Sequence, residues 1–224
     1  MAEEIFNVIY PEKSTYAEAY VLNPIYNSNS LDLCISCNRP VSGMEWRDPK
    51  CIKLQGSKLP DFLYGYGFNV PFLISEKVLS AYSSSNLSGI LGYDKIEKIV
   101  STRKIVTDNY FHIKVKRLDL PIDHKKSKIV YGKVPREKKC TVCDSVGRTK
   151  DFIYTLHLVM DNYDGTDIFK IYELGDLVFV SKRFLDFCQT HNFSNINVRQ
   201  LGDYNRHLQF YFSDEQLQNM FGDD

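Results

Sequence analysis

No uninterrupted apolar run in this chain reaches the ~18 residues that a membrane-spanning helix needs, so no membrane span is expected. No sign of charge prevails either: 28 Lys and Arg balance 28 Asp and Glu. That balance removes the overall field that draws a protein onto nucleic acid or an anionic surface. The opening MAEEIFNVIY places acidic residues where a secretory leader carries basic ones, and a soluble cytoplasmic protein is expected. Histidine is scarce, at five residues, and none falls in HExxH or at a spacing that ties it to a nucleophile. A phosphate loop, a dinucleotide glycine pattern and a nucleophile elbow are all missing, and GYG at 65–67 has neither the third glycine nor the helix such a pattern requires. No enzyme is expected. What is present is a globular composition, 43% apolar with 15 Tyr and 14 Phe in 224 residues. That is long enough for a substantial core, and the aromatic residues favour half-buried strands.

The six cysteines are unevenly placed. Four form two CxxC pairs, Cys34 with Cys37 and Cys140 with Cys143. A redox couple needs its CxxC at a helix N-terminus, where the dipole lowers a thiol pKa. The first pair instead runs into Asn38, Arg39 and Pro40, a turn rather than a starting helix. Two pairs at knuckle spacing favour four thiolates around one structural zinc, against a reading of four reduced cysteines in turns. The glycine common after a knuckle is replaced by Asn38 and Asp144, residue types that also enter the left-handed region. Cys51 and Cys188 stand apart and read as small core residues.

Both cysteine pairs obey one offset of 106 residues, and the same shift lays residues 60–90 over 166–196 without a gap. Asp61 meets Asp167, Ser75 meets Ser181, Leu79 meets Leu185, Asn86 meets Asn192, Ser88 meets Ser194 and Ile90 meets Ile196. In each copy a short apolar run, PFLIS or LVFVS, leads through its serine into apolar residues at helical spacing. The pattern predicts a buried strand feeding a helix through a serine N-cap, whose hydroxyl satisfies an amide left open by the first turn. Asp61 and Asp167, in matching turns, are expected to brace loops rather than act as an acid and base pair.

Further strands are predicted at 5–10, 109–118, 151–160 and 207–212, and a helix at 213–221, where Ser213 is followed by Asp214, Glu215 and a capping-box Gln216. Residues 103–139 connect the copies and carry 12 Lys or Arg against 4 Asp or Glu. The predicted fold class is α+β: one compact unit over 1–224 whose sequence-related halves, about 30–100 and 136–206, each hold a zinc knuckle, strands and one Ser-capped helix. A zinc-ribbon-like site of four cysteines joins them.

The order of features resembles the double-CxxCG family of bacterial toxin immunity proteins. It runs from CxxC through EWRDP, PDFLYGYG and FLISEKVLSAYSSSNLSGILGY to a second CxxC and GTDIFKIYELGDLVFVSKRFLDFCQTHNFSNI. The resemblance spans roughly residues 30–205. Under it, Cys34, Cys37, Cys140 and Cys143 occupy the family's cysteine places, Trp46 and Pro49 fit the segment after the first knuckle, and Asn38 and Asp144 stand where the family has glycine. It implies a protein of interbacterial competition that neutralises a cognate protein toxin by stoichiometric binding, with zinc as a structural cofactor. The alternative is a zinc-ribbon adaptor that contacts nucleic acid through the basic connector, although no nucleic-acid module is recognisable. The partner-binding face and the oligomeric state are not legible in the sequence.

Overall fold

The computed structural model of the chain describes residues 4–8, 15–22, 46, 48–66, 72–101, 109–131, 150–171, 174 and 177–202. These form a mixed α+β fold. Eleven strands build one sheet in the order β13-β1-β12-β11-β8-β5-β4-β2-β3-β7, with β6 paired to β8. In chain order they are β1 (Ile5–Val8), β2 (Glu18–Val21), β3 (Cys51–Gln55), β4 (Phe62–Tyr66), β5 (Phe72–Ser75), β6 (Ile90–Lys95), β7 (Lys98–Ser101), β8 (Tyr110–Leu118), β11 (Ile168–Ile171), β12 (Val178–Ser181) and β13 (Val198–Gln200). Between the last strands of the first half and those of the second, β9 (Lys128–Tyr131) and β10 (Lys150–Thr155) form a separate antiparallel pair. Two helices, α1 (Glu76–Ser83) and α2 (Lys182–Thr190), follow directly on β5 and β12.

The apolar runs form strands buried on both faces, which is why they read as continuous rather than alternating. Along β4 and β5, Phe62, Tyr64, Phe72 and Ile74 join one core cluster, while Leu63 and Leu73 join another. Along β11 and β12, Ile168, Val178 and Val180 enter the first of these clusters, and Phe169 and Phe179 enter a third. The first cluster also holds Val78, Leu79 and Tyr82 of α1 with Phe184, Leu185 and Cys188 of α2. Both helices therefore share one core.

Register repeats as well as composition. β4 and β5 pair Phe62 with Ile74, Leu63 with Leu73 and Tyr64 with Phe72. Each partner moved by 106 gives the β11–β12 ladder, Ile168 with Val180, Phe169 with Phe179 and Lys170 with Val178. The β6–β8 pairs Tyr93 with Ile113, Asp94 with His112 and Lys95 with Phe111 answer to β13–β1, Val198 with Val8, Arg199 with Asn7 and Gln200 with Phe6, under a shift of 105. Between the two ladders the chain is one residue shorter.

The strands expected at 5–10 and 109–118 correspond to β1 and β8. The run at 151–160 is divided: β10 ends at Thr155, and Leu158 makes an isolated bridge to Ile122. The basic connector contributes β8, which pairs with β5, β6 and β11 in the middle of the sheet. The strand expected at 207–212 and the helix expected at 213–221 lie outside the described residues. No helix among the described residues is long and apolar enough to cross a membrane.

Candidate functional site

Ser75 and Ser181 cap the two helices as their sequence positions require. Each has an extended backbone, and its hydroxyl accepts from the amide three residues on, Val78 at 3.3 Å and Phe184 at 3.1 Å. Each hydroxyl in turn donates to the aspartate of its own half, Ser75 to Asp61 Oδ1 at 3.1 Å and Ser181 to Asp167 Oδ1 at 2.8 Å. The backbone repeats the link, since the amides of Ser75 and Ser181 reach the carbonyls of Asp61 and Asp167, both at 2.9 Å. The capping serine thus ties each helix start to the turn that opens the preceding hairpin.

The remaining carboxylate oxygens cross between the halves. Asp61 Oδ2 accepts from the amide and hydroxyl of Ser194, both at 2.9 Å. Asp167 Oδ2 accepts from the amide of Ser88 at 2.8 Å and its hydroxyl at 3.2 Å. Phe62 N–H then donates to Ser194 O, and Ile168 N–H to Ser88 O. Each half holds the loop that follows the other half's helix, a reciprocal clamp made from residues the 106-residue offset pairs.

The loop corner after each clamping serine has a positive φ. Gly89 sits at φ +116, and a Cβ there would lie 1.9 Å from the carbonyl oxygen of Ile168. At the matching corner Asn195 adopts φ 66, and its side-chain amide donates to the Phe62 carbonyl at 2.8 Å. Glycine permits the closer approach, and asparagine is among the few side-chain residues that enter the left-handed region readily.

The clamps differ in their cations. Arg183 lays its guanidinium along Asp167, Nε to Oδ1 at 2.8 Å and Nη2 to Oδ2, and extends Nη2 to the Asn86 carbonyl at 3.2 Å. The matching residue, Lys77, stands 3.9 Å from Asp61 Oδ2 with its ammonium 5.1 Å from the Phe193 ring centre. Asp167 is 1% exposed and Asp61 15%. Burial pushes the Asp167 carboxyl upward, but the Arg183 guanidinium with the Ser88 and Ser181 donors outweighs it and holds it below the usual carboxylate range. A cavity of about 260 Å³ opens beside Asp61, lined among others by Pro60, Ser75, Glu76, Asn109 and Tyr110.

A second polar cluster lies beneath β8. Lys50, almost fully buried, pairs with Asp48 at 2.5 Å and Asp94 at 3.3 Å, and Lys114 approaches Asp94 at 3.3 Å. His112 packs against Trp46 edge to face, with ring centres 5.6 Å apart. Burial, opposed in part by Asp94, pushes the His112 imidazole down to about 4, so the ring is neutral at physiological pH. Trp46 joins the core cluster that also holds Ala19, Ile52 and Tyr110.

Cys34, Cys37, Cys140 and Cys143 lie outside the described residues. Among the described residues no group of three or more His, Cys, Asp or Glu is placed to hold a metal. Cys51 and Cys188 are both buried, and burial pushes the Cys188 thiol up to about 12. The offset identified all four clamp residues, but the exchange of partners between halves, and the part of Arg183, have no signature in a linear pattern. No protein-family model matches the chain, and no curated protein matches it.

Proposed function

We propose that this chain is an immunity protein that neutralises a cognate bacterial toxin by stoichiometric binding, and that Cys34, Cys37, Cys140 and Cys143 hold a structural zinc between two halves derived from one doubled unit. The observation that carries the reading is the order of two CxxC pairs, aromatic segments and Ser-led helices resembling the double-CxxCG family. The repeated strand registers and the reciprocal clamp support the doubling. Four thiolates in two knuckles suit a closed tetrahedral zinc site and leave no open position for a substrate. The protein binds without turning anything over, and it acts in the cytoplasm.

Tight stoichiometric inhibition requires a surface set before the partner arrives, since ordering a loop on binding costs affinity. Two halves that share one helix-bearing core and clamp each other's loops supply such a scaffold. In the connector, Lys114 and Lys116 engage Asp94 and Asp164, which takes both out of a free basic surface and speaks against the adaptor reading.

Co-expression with the product of the adjacent gene tests the function. Relief of growth arrest together with copurification of a complex of fixed stoichiometry is expected, and arrest that persists with both proteins abundant and soluble refutes it. Thiol titration with and without chelator tests the zinc. Four thiols should become reactive together as one equivalent of metal is released.

A further inference from the structure

We propose that the cavity beside Asp61 is a socket for an arginine side chain of a protein partner, and on the reading above that partner is the toxin. The second half of the molecule shows what such a carboxylate takes. Asp167 and Asp61 sit in equivalent turns, each fixed by its own capping serine and by the amide and hydroxyl of the opposite loop. On Asp167 the constellation is completed by the planar fork of Arg183, which spans both carboxylate oxygens. On Asp61, Oδ1 has the Ser75 hydroxyl as its donor, and among the described residues the cation paired with the aspartate is Lys77, 3.9 Å from Oδ2. Beside Asp61, toward Asn109 and Tyr110, the first half has an opening of about 260 Å³, against about 30 Å³ for one water in the liquid.

The lining favours a guanidinium over other cations. Tyr110, buried and donating to the Pro60 carbonyl at 2.7 Å, closes the inner end. At the exposed end Glu76 accepts from the Asn109 side-chain amide at 2.8 Å, which leaves the Asn109 Oδ1 as an acceptor. Two carboxylates and an amide oxygen match the five donors of an arginine head, whereas an ammonium offers three donors around a point. The dipole at the start of α1 opposes a cation here, but α2 presents the same dipole to Arg183, and the pairing forms there nonetheless. Among the described lining residues Glu76 and Asp61 outweigh Lys77, a balance of one negative charge.

Amide NMR of the full chain at low salt, where exposed charge pairs are screened least, tests the socket without any toxin. The probe is Nα-acetyl-arginine amide and the control its uncharged isostere, Nα-acetyl-citrulline amide. Shifts confined to Ser75, Glu76, Lys77 and the Asn109 side chain are expected. The arginine probe should bind about tenfold tighter than the control, the factor one charge-assisted hydrogen bond supplies. Lys77→Arg should fill the socket from within, as Arg183 does, and Glu76→Gln should remove an acceptor at the surface; each should weaken the probe several-fold while leaving the rest of the spectrum unchanged. Equal binding of both compounds, or unaltered binding in Lys77→Arg, overturns the socket. If the probe binds but Lys77→Arg forms the toxin complex as tightly as the parent, the assignment to that partner is overturned and the immunity reading stands. Failure of co-expression rescue alone sinks the immunity reading and not the socket.

Discussion

Replacing Asp167 by asparagine should cost far more stability than the same replacement at Asp61, although the two residues occupy equivalent positions. Asparagine has one acceptor oxygen and one donor nitrogen. At position 61 it can place its oxygen on the Ser194 amide and turn its nitrogen to the Ser75 hydroxyl, which can accept as well as donate. Ser194 keeps its acceptor and Ser75 accepts where it had donated, so the loss is about 1 kcal/mol, the scale of one hydrogen bond. At position 167 neither orientation works. With the nitrogen toward Ser88 it meets that residue's backbone amide, and with the nitrogen toward Ser181 it meets the Nε of Arg183, each partner now lying at 2.8 Å. A donor left unpaired in this setting costs about 1–3 kcal/mol. Loss of the ion pair adds at most about 1 kcal/mol, because Arg183 is 60% exposed and screened. The sum is roughly 3 kcal/mol. Urea unfolding at pH 7 with unchanged m-values measures both. In an Arg183→Ala background the asparagine can turn freely, so the cost at 167 should fall toward that at 61, a coupling of about 1–2 kcal/mol in the double-mutant cycle. Equal losses at the two positions, or no coupling to Arg183, would falsify the clamp as described.

His112 gives a pH dependence of definite sign. Its folded pKa, about 4, lies below the ~6.5 of an unfolded histidine, so between these values the unfolded chain holds a proton that the folded chain refuses. Stability should fall as pH drops through that window, by about 2 kcal/mol at pH 5, and His112→Gln should lose less between pH 7 and pH 5; parallel urea midpoints for the two proteins would contradict this. Gly89→Ala should destabilise by about 2–4 kcal/mol, combining a positive φ with displacement of the Ile168 carbonyl, and a thermal midpoint unchanged from the parent would show that the corner yields. Cys188 should stay unmodified by a disulfide reagent in the native state and react only on unfolding, with a thiolate suppressed by burial; labelling at the rate of an exposed thiol would place it elsewhere.

The serine-led helices were legible because N-cap chemistry and helical periodicity are local and reinforce each other: Ser75 and Ser181 each sit one residue before their helix. Repeat offset made the clamp residues visible as matched positions. It could not reveal that Asp61 answers to Ser194 rather than Ser88, since both assignments preserve the same linear match and only the packed halves choose between them. The strand expected at 109–118 was legible for a different reason, its apolar residues standing out within the basic connector. Charge dominates its composition, yet β8 inserts Phe111, His112 and Ile113 into the interior while Lys114 and Arg117 face outward; a strand flanked on both edges can carry such charges provided one face is solvated. The socket at Asp61 is legible only by comparing halves, where Lys77 replaces Arg183, a substitution that counts as conservative until the fork geometry is considered.

The arrangement also decides what the proposed zinc can contribute. In a small zinc finger the metal supplies the folding free energy, and removing it unfolds the chain. Here the links between halves that the described residues make are independent of the four paired cysteines: one core receives both helices, β11 pairs in parallel with β8, and the clamps cross in both directions. Zinc would join halves already joined, so its binding free energy should add to stability by mass action rather than decide whether the fold exists. Chelation is therefore expected to lower the unfolding midpoint while leaving far-ultraviolet circular dichroism and the buried fluorescence of Trp46 native at 25 °C. Loss of both signals on chelation alone would mean that the knuckles organise the sheet, and that the clamp is a consequence of that organisation rather than its support.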